Sequence, residues 1–290
     1  MSKILLKIFF NFLYYINSFL KLFGKNTFLQ KINVFINQET YLKKKINNTI
    51  IKFFVPNDLT YNRVSTIFSK EPETINWIQN FNNLNNKEII FWDVGANIGL
   101  YSVYAAAVHD KIKITSFEAS TSNLRCLSRN ISINNFQNKI KICQIPLSNK
   151  ENTFLEMKEK TFLEGGAIST FGENFDYKGQ KILNSDNNYS LFGTTINFFL
   201  DNKFLEVPNY IKIDVDGIEH LILEGANKFL NHKQLLGISV ELNKDFKDQF
   251  EKSFKLLESN GFYSTPDFDN VGTLVEKKHK TKNYHFKKRI

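Results

Sequence analysis

Cysteine is scarce. Cys126 and Cys143 are the only two in 290 residues. Neither stands in a metal-ligand or paired-thiol spacing, and two thiols build no disulfide framework. They read as small buried hydrophobes of a reducing compartment. Net charge is missing from the body of the chain. The formal charge is +9, but residues 276–290 carry +6 and residues 1–25 carry +4, which leaves −1 for everything between. The body has no cationic footprint for DNA or RNA, so a nucleic-acid substrate is not expected. A long apolar run is missing as well. Lys7, Asn11, Asn17, Ser18 and Lys21 interrupt the stretch from Ile4 to Phe23, short of the roughly 18 uninterrupted apolar residues a membrane span wants. No small-residue cleavage site follows it, as a secretory signal requires. There is no internal repeat.

What is there begins with an amphipathic helix over 1–25. Lys3, Lys7, Asn11, Tyr14, Ser18, Lys21 and Lys25 recur at intervals of three and four as one polar stripe, and Ile4, Ile8, Phe12, Tyr15, Phe19 and Phe23 fall away from it. A helix with cations on its wet face suits a membrane interface; packing on the protein's own body or on a second copy is the other reading. Residues 26–86 form an extension. It holds the β-rich IIKFFVPND (50–58), a helix in KEPETINWIQNF (70–81) and an Asn-rich loop at 82–86. Pro72 is tolerated in that helix's first turn, and Glu71 and Glu73 suit the positive end of its dipole.

From residue 87 to 275 the chain takes up a βα rhythm. KEIIFWDVG (87–95), KIKITSFEAS (111–120), KIKICQIPLS (139–148), YIKIDVDG (210–217) and LLGISVEL (235–242) read as strands. Helices are expected over 98–109, 123–134, 218–230 and 246–262. Such alternation implies a doubly wound, mostly parallel α/β sheet with right-handed crossovers. FYSTPDF and VGTLVEK, separated by DN, are expected as a closing antiparallel hairpin. Residues 149–205 break the rhythm as an insertion too long for a structureless loop, and such insertions beside a cleft often supply substrate contacts. The basic run 276–290 reads as a solvated tail that, with the first helix, could meet anionic lipid.

The sharpest chemical signal is FWDVGANIGLYS (91–102). A buried strand runs into Asp93, and Gly95, Asn97 and Gly99 follow at alternate positions as a helix opens. Glycine permits a tight turn and close approach of a cofactor to the backbone. The second strand ends in Glu118, placed to accept hydrogen bonds from ribose hydroxyls. A dinucleotide would bring a pyrophosphate to the helix N-terminus and wants amide donors without nearby anions. Here Asp93 opens the turn and Asn97 takes the middle glycine position, so a nucleoside with a positive sulfonium and ammonium, S-adenosylmethionine, suits the charge better. A second signal is YIKIDVDGIEHLILEGA (210–226). Asp214 and Asp216 are expected on one side of a persisting strand. A competing reading makes Asp216 the N-cap and Glu219 its capping-box partner. Glu241 ends the next strand in the same way.

These stretches carry a resemblance. DVGANIG (93–99), FEAS (117–120) followed by Asn123, IPLSN (145–149), IKIDVDGIEHLILEGA (211–226) and VEL (240–242) resemble the FkbM-type methyltransferase family over about residues 70–262. The resemblance implies a class I methyltransferase (Rossmann-like) fold with an antiparallel C-terminal strand, S-adenosylmethionine as donor, and methylation of a hydroxyl on a sugar or natural product. It implies that Asp93, Gly95, Asn97 and Gly99 line the methionine part of the cofactor and Glu118 the ribose. IPLS departs from many class I relatives in carrying no acid, so an adenine contact there is expected from backbone or from Ser148.

A sugar hydroxyl is a poor nucleophile, so a general base or a metal is expected. Asp214 is the expected base or acceptor-orienting carboxylate, with Asp216, Glu219 and Glu241 as alternatives; His220, early in the following helix, is another candidate base, against its ordinary reading as a surface histidine. Whether the carboxylates hold Mg²⁺ is left open. The expected acceptor is a glycan of a surface polysaccharide or lipid carrier, met in the cytoplasm at the inner membrane surface. Two rival readings are a nucleotide-dependent sugar oxidoreductase or epimerase, whose usual tyrosine–lysine pair is not visible, and a non-catalytic membrane-surface module.

Overall fold

A computed structural model describes residues 3–25, 27–82, 87–265 and 281–289. The chain divides into two compact units, Met1–Tyr41 and Leu42–Ile290. The first holds two helices, α1 (Lys3–Lys21) and α2 (Phe28–Glu39). Phe9, Phe10, Phe12, Tyr15 and Phe19 of α1 are exposed, as are Val34, Phe35 and Ile36 of α2. Although lysines and asparagines interrupt it, α1 is long and apolar enough by length and composition to cross a bilayer.

The second unit opens on a hairpin, β1 (Tyr41–Ile46) and β2 (Thr49–Phe54), then α3 (Asp58–Ser65) and α4 (Pro72–Gln79). Asn57 starts α3 with a reciprocal capping box to Thr60. The βα rhythm follows: β3 (Ile89–Val94), α5 (Leu100–Val108), β4 (Ile112–Phe117), α6 (Thr121–Ile133) and β5 (Ile140–Cys143). The interval 149–205 folds as expected of its length. Strands β6 (Thr153–Glu159), β7 (Ser169–Phe171) and β8 (Asn187–Gly193) make a separate antiparallel sheet in the order β7-β6-β8, and α7 (Ile196–Asp201) leads back. The rest is β9 (Tyr210–Ile213), α8 (Glu219–Glu224), β10 (Gly237–Asn243), α9 (Lys247–Ser259), β11 (Phe262–Ser264) and β12 (Thr281–Lys288).

Among the described residues the main sheet has seven strands in the order β11-β12-β10-β9-β3-β4-β5. Strands β10, β9, β3, β4 and β5 are parallel, and β12 runs antiparallel between β10 and β11. This is the doubly wound class I arrangement. The central strands are apolar on both faces because helices cover both: Phe91 and Trp92, neighbours in β3, are each fully buried. Burying each contributes about 1.5–3 kcal/mol. The order reverses beside β3, with β4 on one side and β9 on the other, and ligands of such sheets bind at the carboxyl ends of the strands there.

Two expectations are corrected, and a third lies outside the described residues. The run 276–290 is not a solvated tail in its residues 281–288. They are β12, with Asn283, Tyr284, His285 and Phe286 buried. Phe262–Ser264 pair with β12, and VGTLVEK, the partner expected for them, lies outside the described residues together with 266–270. The helix expected over 218–230 is regular only over Glu219–Glu224.

Candidate active site

The site is built where β3 and β9 end. Gly95 has φ +82°, and a Cβ there would lie 1.8 Å from the Asp214 carbonyl oxygen. The two strand ends touch through backbone, and only glycine fits. Asn97 takes the left-handed conformation, φ +52°, as asparagine tolerates. Its amide donates to Glu118 Oε2 at 2.7 Å, and its side-chain Nδ2 donates to the Gly166 carbonyl at 2.7 Å. Gly99 serves packing instead of lining a cavity: a Cβ there would meet Leu127 Cδ1 of α6 at 2.6 Å.

Every amide of this turn is already engaged. Gly95 and Ala96 donate to the Phe117 carbonyl at 3.0 and 2.9 Å, and Gly99 donates to Ala96 at 2.7 Å. Asn97 donates to Glu118, and Ile98 donates to Asn97 Oδ1 at 2.9 Å. A pyrophosphate arriving at this turn would meet a carboxylate and five amides already paired within the protein.

Glu118 also accepts from the Ser120 amide at 2.7 Å. Burial pushes its carboxyl up to about 7 against the opposing pull of the Ser120 and Asn97 amides. It borders a cavity whose apolar wall includes Phe117, Ile145, Leu147, Met157, Phe171 and Ile222. Met157 and Phe171 come from the insertion, which therefore walls the cavity. Ser148 does not: its hydroxyl turns to the Lys150 amide at 3.0 Å. Ile145, Pro146 and Leu147 stand in that wall instead.

Gly95, Asn97, Asp214 and Asp216 are shared with a second cavity, where Arg63, Lys70, Glu71, Tyr101, Lys212 and Glu241 gather. A third shares Lys70, Glu71, Asp216 and Glu241 with the second and adds Glu73, Tyr177, Lys282 and Asn283. The three spaces share these residues in their walls.

Asp93 is fully buried and lies outside this lining; Ser102 donates to its Oδ2 at 2.5 Å. Burial raises its pKa, and the nearby Lys212 ammonium opposes this. Asp214 accepts from Lys212 Nζ at 2.5 Å. Burial works against its charge, but the Lys212 ammonium prevails and holds the carboxyl below its ordinary value. Asp216 does not continue the strand alternation. β9 stops at Ile213, Asp216 has φ +63°, and its Oδ2 accepts from the amides of Ile168 and Ser169 at 2.6 and 3.2 Å. Burial, then the Asp214 charge, pushes it up to about 6.

Glu219 does not reach the cavities. Fully buried, it accepts from the amides of Val215 and Gly217 at 3.0 and 3.2 Å and from Gln249 Nε2. It clamps the loop after β9, so no capping box with Asp216 forms; Ile218 precedes α8 without a side-chain cap. His220 is buried, not a surface residue, and lies against the rings of Phe175 and Phe246. Among the described residues no group of three His, Cys, Asp or Glu side chains is arranged to hold a metal ion.

Sequence reasoning passed over Lys212, Tyr101 and Glu71. Lys212 is fully buried, its Nζ 4.7 Å from the Tyr101 ring centre. Burial disfavours its charge, but Asp214, Asp93 and Glu71 together raise its pKa. The signal was a lysine between Ile211 and Ile213 in a central strand, where a charge demands a partner. Glu71 makes no helix cap; it accepts from Tyr101 Oη at 2.5 Å and Asn283 Nδ2 at 3.0 Å.

The Methyltransferase FkbM domain signature matches residues 93–264, more than half of the chain. Methyltransferase sdnD of Sordaria araneosa is 29% identical over 196 residues, covering 60% of this chain and 74% of that protein. Among solved structures, Methyltransferase FkbM from Methylobacillus flagellatus KT is 15% identical with a TM-score of 0.42, over 80% of this chain and 56% of that one. A SAM-dependent methyltransferase from Agrobacterium tumefaciens is 10% identical with a TM-score of 0.47, over 86% and 70%. With the signature spanning both strand ends that build the cleft, the chain belongs to the FkbM family of S-adenosylmethionine-dependent methyltransferases.

Proposed function

We propose that this chain transfers a methyl group from S-adenosylmethionine to a hydroxyl oxygen of a sugar, in a polysaccharide, a lipid-linked glycan or a natural product. The observation that carries the donor assignment is the β3–α5 turn, whose five amides are spent within the protein while carboxylates border the cavity. Such a site favours a cationic nucleoside over a phosphate-bearing one. The apolar cavity beside Glu118 suits the adenosine, with the Glu118 carboxylate accepting from ribose hydroxyls. Gly95 and Asn97 border the methionine part.

When bound, the donor supplies an electrophilic methyl group on a positive sulfur. The protein's own part is orientation and proton handling. Asp214, kept ionised by Lys212, orients the acceptor; Asp216 pins the Ile168–Ser169 segment of the insertion over the cleft, and Glu219 fixes the loop that carries both aspartates. Glu73, Tyr177 and Asn283 in the third cavity offer the mixed donors and acceptors a polyhydroxylated acceptor needs. The exposed apolar residues and four lysines of 1–25 support work at the cytoplasmic face of a membrane, where lipid-linked glycans are carried.

Calorimetric titration is expected to show binding of S-adenosylmethionine and none of NAD. Radiolabelled donor incubated with fractionated cell-envelope glycans is expected to label a glycan fraction at an alkali-stable ether. Affinity for NAD without affinity for S-adenosylmethionine would overturn the reading.

A further inference from the structure

The carboxylates of the cleft differ in one respect: whether the protein already occupies them. Asp214 is bound by Lys212, and Asp216 by two amides. Glu118 holds two amides, and Glu71 holds Tyr101, Asn283 and Lys70. Glu241 has no hydrogen-bond or ion-pair partner among the described residues, although it is largely withdrawn from solvent. It stands on β10 opposite Asn283 of β12, one residue beyond the last pairing of β10 with β9, at the carboxyl end of the parallel sheet. It lines both the cavity shared with Gly95 and Asp214 and the wider space beyond it.

We infer that Glu241 is the catalytic base of the methyl transfer, the group that takes the acceptor's hydroxyl proton. The inference rests on the methyl-transfer reading above. As the hydroxyl oxygen bonds to the methyl carbon, the methyl–sulfur bond breaks with its electron pair left on sulfur. The hydroxyl proton passes to a Glu241 carboxylate oxygen. A methyl ether, a neutral thioether and a protonated Glu241 result, and charge balances. Asp214 cannot serve as well, because a buried ammonium on its Oδ2 makes it a weaker base, which leaves it to orient the acceptor.

The surroundings support this. Burial, and then the charges of Asp214, Glu71, Asp216 and Glu219, raise Glu241 well above an ordinary carboxyl, which makes it a stronger base once ionised. The cations facing it are Lys212 of β9, Lys70 before α4, Arg63 of α3 and Lys282 of β12. A donor carrying a sulfonium and an ammonium adds positive charge to the same cleft, which favours ionisation of Glu241. Donor binding therefore expels its proton and readies the base.

The test is the full chain against its Glu241→Gln variant. Calorimetry with S-adenosylmethionine in two buffers of different ionisation enthalpy counts protons released on binding. The wild type is expected to release protons near neutral pH, and the variant to bind with retained affinity and release fewer. With labelled donor and the glycan fractions, the variant's kcat should fall about 100- to 10,000-fold and lose the rise of rate with pH seen in the wild type. Equal proton release, or full turnover by the variant, overturns the assignment to Glu241 and leaves the methyltransferase reading standing. If the wild type binds the donor but labels no fraction, the hydroxyl-acceptor reading and this inference fall together.

Discussion

Glu118 is held between two opposing demands. Its carboxylate must accept the amides of Asn97 and Ser120 to shape the turn, yet it is buried enough to be pushed up to about 7. Asp216, at about 6, and Glu219, at about 7, are raised mainly by the same burial. A carboxyl raised in the folded state binds its proton more tightly than in the unfolded chain. Its contribution is fully present below the ordinary carboxylate range and is lost as pH rises through the folded value. The donor-free protein should therefore lose thermal stability between about pH 5 and pH 8. Glu118→Gln, which removes one titrating group, should flatten that slope in a calorimetric Tm series; an unchanged slope would show that Glu118 does not titrate there. The acids at 93 and 118 were legible from their place at strand ends. What each would touch was not: Asp93 turned inward to Ser102, because a side chain's direction at a strand end depends on which strand lies beside it.

At the scale of elements, β12 carries the largest departure from the sequence reading. Its residues 283–286 are buried on both faces, but the alternation Asn283-Tyr284-His285-Phe286 is short and the lysines around it read as solvent. Lys288 instead reaches the Leu230 carbonyl at 2.6 Å. β12 pairs with β10 from Gly237–Lys287 to Asn243–Thr281 and also holds β11. A chain ending before Thr281 loses the burial of Tyr284 and Phe286, about 1.5–3 kcal/mol each, together with both ladders. It should fail to fold, read as loss of cooperative unfolding by circular dichroism; a native-like transition would show the strand to be dispensable. The βα succession from β3 to β5 was legible because each strand is short, apolar and followed by a helix of matching period. The insertion's sheet was not, since its strands alternate only weakly.

For the whole molecule, the cavity-lining residues all lie in the Leu42–Ile290 unit, and the exposed phenylalanines of α1 lie in the other. Residues 1–25 carry four lysines and no acid. The full chain is expected to float with vesicles rich in anionic lipid, less so as salt rises, and not with purely zwitterionic ones. A chain beginning at Leu42 should lose flotation and keep donor affinity; equal flotation would remove α1 as the anchor. The sequence by itself determined the class of the fold and the kind of ligand, because strand, acid, glycine turn, helix and second acid follow one another along the chain. The tertiary structure alone decided the roles of the carboxylates. A buried acid's basicity depends on which donors meet it: Lys212 meets Asp214, and Glu241 is left without a partner among the described residues, only once β9, β10 and β12 lie side by side.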